Sequence, residues 1–273
     1  MKYFYLISSL PEIRIEDRSL TQEYLDELIA LIGRNLDEED RPVYQALLAS
    51  GDNQNLLYVL FREYHDFEIA RFKRPYAIAP EILENYRHNY AFLPDYMINY
   101  LNDFSGSFAS LSLREMEQNL DDYFHEHVIK LNIPFLSTYY DWRIRLKGII
   151  ADLNARSYGF LKKQNEATEK AFPHSRTLHG VTDFEDVANQ MLPLIESNDL
   201  ETIEAKVNTF YWEFASCWQE PFSSDQVFAN LIKIIRMHRW KGFVSRGVGA
   251  KEKFEMLIHD LKIKESSPKM PLI

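Results

Sequence analysis

The chain of 273 residues has one cysteine, Cys217, and only nine glycines. A lone cysteine excludes a disulfide framework and any cysteine-built zinc or iron–sulfur site, and it fits a reducing compartment. Glycine at about 3% is less than half its usual share of ~7%. Rossmann sheets, sandwiches and propellers depend on turns with positive φ, so the shortage disfavours them. No run approaches the ~18 consecutive apolar residues of a membrane span. The first eleven residues contain one lysine and a short apolar run, with no small-residue cleavage site after it, so no signal peptide is expected. Acidic residues outnumber basic ones 41 to 31, for a net charge of −10. That balance argues against a general nucleic-acid binder.

Aromatic residues are plentiful, with 18 Phe, 16 Tyr and 4 Trp. An apolar fraction of 46% and a mean hydropathy of −0.34 describe a globular chain with a large core. The charge is unevenly spread. Residues 224–264 contain nine Lys/Arg against four Asp/Glu, while the remainder is strongly acidic. This is either a solvated basic face or a surface for a partner.

Apolar periodicity near 3.6 dominates the chain, and the fold class expected is all-α. Ser19 and Gln22 fit a capping box before a stripe of Tyr24, Leu25, Leu28, Ile29 and Ile32 that stops at Gly33. A second helix is predicted over Asp37–Ala49, ended by Gly51, and a third over Asn53–Arg74, ended by Pro75. Shorter helices are predicted at Pro80–Tyr90 and Pro94–Phe104. Ser112 with Glu115 opens a helix to about Leu131, and a long one follows from about Phe135 to Phe160. Residues 163–182 read as a linker. Asp183, then Asn198 or Asp199, then Ser223 or Ser224, cap three more helices. A basic turn from Lys241 to Gly249 leads to a last helix near Ile263. Some extended structure is expected near residues 2–9. Eight of the nine glycines thus fall at predicted helix ends or connections. The exception is Gly148, where a close crossing by another helix is expected.

Tyr64-His65-Asp66-Phe67-Glu68-Ile69 is echoed 75 residues later by Tyr139-Tyr140-Asp141-Trp142-Arg143-Ile144. A weaker copy, Phe210-Tyr211-Trp212-Glu213-Phe214, follows about 72 residues on. Basic residues come after each copy. The spacing suggests an ancestral helical repeat, with one all-helical domain over 1–273 divided into modules 1–108, 109–180 and 181–273.

Few constellations suggest chemistry. Asp141, Arg145, Asp152 and Arg156 lie along one edge of the long helix with alternating sign, as a structural charge ladder would. His125 and His127 stand about 200° apart on a helix and cannot share a metal, so they read as surface histidines. Asp121-Asp122-Tyr123-Phe124-His125 and Asn198-Asp199-Leu200-Glu201-Thr202 resemble the two Mg²⁺ motifs of class I terpene synthases. Clustered carboxylates there would hold Mg²⁺ against a diphosphate, although helix N-caps explain the residues more simply. The stretch 242–249 would form an anion-binding nest or a plain helix connection. No catalytic, cofactor or metal set stands out. Lys233, Arg236, Arg239 and Trp240 form the candidate partner-binding surface, because arginine and tryptophan are enriched at interface hot spots.

The repeated Tyr-x-Asp-aromatic-x-Ile helices point to a known group. So do Tyr3-Phe4-Tyr5-Leu6-Ile7-Ser8-Ser9-Leu10-Pro11 and Tyr140-Asp141-Trp142-Arg143-Ile144-Arg145-Leu146-Lys147-Gly148. They resemble an uncharacterised bacterial family encoded beside V-type ATP synthase subunits, itself similar to the V-type ATPase C subunit, called d in eukaryotes. The resemblance implies a funnel of three pseudo-repeated helical modules. It implies a non-catalytic adaptor without cofactor, linking the central-stalk subunits to the membrane rotor ring. The expected location is cytoplasmic, peripheral to the inner membrane through the complex. A diphosphate enzyme and a helical scaffold of another complex remain alternatives.

Overall fold

A computed structural model describes residues 2–15, 17, 19–65, 72–157, 183–218 and 220–245. Among the described residues there are ten α-helices, two 3-10 turns and no strand, so the protein is all-α. The helices are α1 (Phe4–Ser9), α2 (Gln22–Asn35), α3 (Arg41–His65), α4 (Pro80–Glu84), α5 (Asp95–Phe104), α6 (Leu113–Leu131), α7 (Pro134–Ser157), α8 (Phe184–Ser197), α9 (Leu200–Ser216) and α10 (Ser224–Ser245). α10 packs on α2, α9 and α3; α6 packs on α5 and α3; α7 packs chiefly on α8.

Several helix starts follow directly from local chemistry. Ser112 accepts from the Glu115 amide while the Glu115 carboxylate accepts from the Ser112 amide, completing a capping box. Asp183 and Asp199 each accept backbone N–H bonds from the first turn of α8 and α9. Asn198 closes α8 in the left-handed conformation, and Asp199 is the cap of α9. At α2 the cap is Thr21, which accepts from the Tyr24 amide; Ser19 instead bonds the Asp17 carboxylate.

Other expectations are corrected. Residues 4–9 form a short helix, with the Tyr3 hydroxyl donating to Asp40 at 2.6 Å. The two helices expected on either side of Gly51 are one helix, α3. Gly51 is buried inside it, and a Cβ there would stand 2.1 Å from the Pro75 carbonyl oxygen. The glycine therefore admits a crossing backbone and does not stop the helix. The next polar residues hold that backbone in place. Asn55 bonds both the amide and the carbonyl of Lys73, at 2.7 and 3.0 Å. The Asp52 carboxylate accepts from the amides of Ala77 and Ile78, each at 3.0 Å. Asn53 accepts from the Tyr96 hydroxyl at 2.6 Å. α2 runs two residues past Gly33, whose open side receives the Tyr44 ring. α4 ends at Glu84, shorter than expected; turns follow over 85–88 and a separate 3-10 turn spans Tyr90–Phe92. α10 runs through 241–245, so Lys241 to Ser245 are helical and not a turn.

The apolar stripes merge into one core, with Leu25, Ile32, Leu56, Leu60, Met97, Tyr100, Phe135, Phe214 and Phe228 almost fully enclosed. Polar ties cross it. His238 of α10 is buried with Nε2 3.1 Å from Asp26 Oδ1 of α2, and Asp26 Oδ2 accepts from Arg74 at 2.7 Å. The predicted linker 163–182, the tail, most of the first copy of the aromatic motif (Asp66 to Ile69), and Gly159, Gly180, Gly247 and Gly249 lie outside the described residues.

Candidate functional site

The second and third copies of the aromatic motif pack on one another where α7 meets α9. Trp142 meets Tyr211 edge-on at 4.8 Å and lies 4.6 Å from Phe214. Tyr139 lies 6.4 Å from Tyr211 and 5.7 Å from Phe214. Large rings at i and i+3 or i+4 on each helix make this mutual packing natural. The interlocked rings form a floor, and cations stand around it.

Next to these rings α10 supplies Arg236, which is buried. Its guanidinium carbon sits 4.2 Å from the Tyr211 ring centroid. Its Nε donates to Asn208 Oδ1 at 2.9 Å, and its terminal nitrogen donates to Glu204 Oε1 at 2.9 Å. Glu204 also accepts two bonds from Arg239, at 2.9 and 3.2 Å. Arg236 is thus a fully engaged buried group joining α9 to α10. Its reading as an exposed partner contact is corrected, because a buried arginine persists only where acceptors surround it. Arg239 is exposed, and Trp240 is half-buried and stacks on Phe243 at 5.8 Å.

Lys233 lies apart from these. It lines a cavity of about 210 Å³ with Ile7, Leu10, Pro11, Ile13 and Ile234. It makes no ion pair among the described residues, and burial lowers its pKa. The four residues grouped by sequence therefore divide into one core clamp, one exposed arginine, one half-buried indole and one cavity lysine.

Near the same rings α7 supplies a second group of cations, outside the candidate residues named from the sequence. Tyr139, Arg143 and Lys147 follow at i, i+4 and i+8, grading from buried through half-buried to exposed. The Arg143 guanidinium lies 5.6 Å from the Tyr140 ring centroid, and the Tyr140 hydroxyl is fixed to the Ala46 carbonyl at 2.6 Å. Neither Arg143 nor Lys147 has an ion-pair partner among the described residues. The Lys147 pKa is pushed down to about 8, first by Arg143 and then by desolvation, against the pull of Asp121 and Glu117 on α6. The i, i+4, i+8 spacing is visible in the sequence, but the pairing of each charge depends on the packing of α7.

The row of alternating sign on the same helix behaves differently. Arg145 Nε lies 3.2 Å from Asp141 Oδ2, an ion pair within α7. Asp152 and Gly148 are half-buried and Arg156 is exposed.

Metal readings fare poorly. Asp121 and Asp122 lie on α6, and Asp199 is engaged as the cap of α9. Among the described residues, no metal-holding group contains any of them. The group that does assemble is Asp37, Glu39 and Asp40. It already surrounds the Lys2 ammonium, at 3.3 Å from Asp37 and 2.7 Å from Asp40, with Glu39 also bonded. His125 and His127 are half-buried, not surface groups, and His127 lies 5.1 Å from the Tyr96 ring.

Fold and site together define an all-helical protein whose distinctive feature is a cluster of packed tyrosines approached by engaged cations and by cations with no ion pair among the described residues. The chain belongs to the family described as "Protein of unknown function (DUF2764)", whose model matches residues 1–265. No curated protein and no solved structure matches it.

Proposed function

We propose that this protein is a non-catalytic adaptor of a V-type ATP synthase, joining the central-stalk subunits to the membrane rotor ring. The observation that supports the reading best is the packing of the second aromatic motif on the third. Corresponding helices of adjacent modules meet through the same ring positions, as expected if the modules descend from one unit. The sequence resemblance supplies the identity of the complex. Among the described residues no helix is long and apolar enough to cross a membrane, so attachment at the inner membrane's cytoplasmic face runs through the partner subunits. Arg239, Trp240 and Lys233 remain available to a partner, whereas Arg236 does not.

The test is affinity purification of the tagged full chain from detergent-solubilised native membranes. Recovery of stalk and ring subunits is the expected result, and it should fall several-fold in Arg239→Glu with the monomer still folded. Recovery of a different assembly would mean a scaffold elsewhere, and recovery of no ATPase subunit would remove the adaptor reading.

A further inference from the structure

We propose that Tyr139, Arg143 and Lys147 of α7, with Tyr211 of α9, form a binding site for a phosphate-type oxyanion. The inference is independent of the adaptor reading. Two observations carry it. The first is a pair of cations on one helix face with no carboxylate in ion-pair range among the described residues. Surface arginines and lysines need no partner, but Arg143 is half-buried against an aromatic wall, where charge is costly to leave uncompensated.

The second is a pair of phenols more than nine-tenths buried, Tyr139 at 7% and Tyr211 at 5% exposure. Neither hydroxyl has a hydrogen-bond partner among the described residues. Neither oxygen is sealed from solvent, so each hydroxyl keeps a donor free for an incoming acceptor. The contrast with Tyr96, Tyr100 and Tyr140, whose hydroxyls all find acceptors in the core, isolates these two.

Both phenols lie close enough to Arg143 to act on it electrostatically. A bound oxyanion would accept from both hydroxyls, the guanidinium and the ammonium at once. Two positive charges with two neutral donors match a phosphate dianion better than a single carboxylate. Arg236 contributes its ring contact to Tyr211 but is committed to Glu204 and Asn208.

The charged groups facing Lys147 are Arg143 on its own helix, Asp121 and Glu117 on α6, and Arg239 on α10. With its pKa at about 8, Lys147 is mostly charged at pH 7 and mostly neutral at pH 9. Affinity should therefore weaken as pH rises through that range, less steeply once bound anion holds the proton on.

The experiment is isothermal titration of the full chain with inorganic phosphate in a phosphate-free buffer, with acetate as the comparison ligand. Saturable binding of one phosphate is expected, weakened at least tenfold in Arg143→Met. Tyr139→Phe and Tyr211→Phe, which remove only an oxygen and leave the ring packing in place, should each weaken it several-fold. Lys147→Met should weaken it and flatten the pH profile between 7 and 9. No saturable binding, or equal binding by wild type and both phenylalanine variants, would overturn the proposal. Acetate binding as tightly as phosphate would also overturn it, and would point to an acidic protein segment as the natural occupant.

Discussion

Two arginines flank the same group of tyrosines, and their surroundings differ sharply. Arg236 lies against Tyr211 and is surrounded by acceptors, with Glu204 and Asn208 within 2.9 Å. Arg143 lies against Tyr140 and makes no ion pair among the described residues, with Asp121 acting on it only from beyond contact. The Arg236 side is closed electrostatically, with one acid answering two arginines. The Arg143 side is left open, with two cations at i and i+4 that raise one another's cost. Charge arranged for stability is neutralised by its neighbours; charge arranged for binding is left waiting for a counter-charge. That difference separates the core clamp from the candidate site more clearly than sequence position or residue type does.

The largest expected effect tests the closed side. Arg236→Met leaves Asn208 buried without its donor and Glu204 with only the exposed Arg239. Breaking such a buried pair from one side should cost about 3–5 kcal/mol. Arg143→Met, which breaks no ion pair, should change stability by less than about 1 kcal/mol. Urea unfolding of the two variants provides the comparison. Equal losses would erase the distinction between clamp and site.

Asp52 sharpens the comparison with a buried charge of the opposite sign. Burial pushes its pKa up to about 7, against the pull of the Ile78 and Ala77 amides. A raised carboxyl pKa means that the folded state keeps a proton which the unfolded chain releases near pH 4. Its stabilising contribution is therefore full below about pH 4 and is lost as pH rises to 7, at about 1 kcal/mol per pH unit. Asp52→Asn keeps an acceptor for the two amides and carries no charge. The variant should lose this slope and gain on the wild type as pH rises. Thermal melts at several pH values between 4 and 8 would show it, and an unchanged slope would place the titration elsewhere.

How much of this the sequence reveals depends on whether the signal is local. Capping chemistry is local, so Ser112 with Glu115, Asp183 and Asp199 mark their helix starts correctly. Glycine is ambiguous, because the same residue ends a helix or admits a neighbour. Gly51 does the second, and only the distant Pro75 explains why. The run Gly51-Asp52-Asn53-Gln54-Asn55 reads as a helix breaker in isolation, yet Asp52, Asn53 and Asn55 stay helical because their side chains bond groups 18 to 43 residues away. Basic residues are ambiguous in the same way. Arg236 and Arg239 are three residues apart in one charged stretch, and only the position of Glu204 makes one a core residue. The Tyr139–Arg143–Lys147 row has regular spacing, but nothing in it shows that its cations are unpaired. That fact belongs to the packing of α7 against its neighbours.

The smallest expected effect concerns the second row on α7. Asp141 and Arg145 pair within the helix at 3.2 Å, and the Arg145 side chain is 61% exposed. An exposed i, i+4 pair contributes about 0.3–0.5 kcal/mol and is weakened by salt. Arg145→Ala should therefore shift stability by no more than that, and raising the salt concentration should reduce the difference further. It should also leave phosphate affinity within twofold, since Arg145 lies on a different edge of the helix from Arg143 and Lys147. A tenfold loss of affinity in this variant would mean that the two rows act as one surface. The division between neutralised and unpaired charge on α7 would then have no functional meaning.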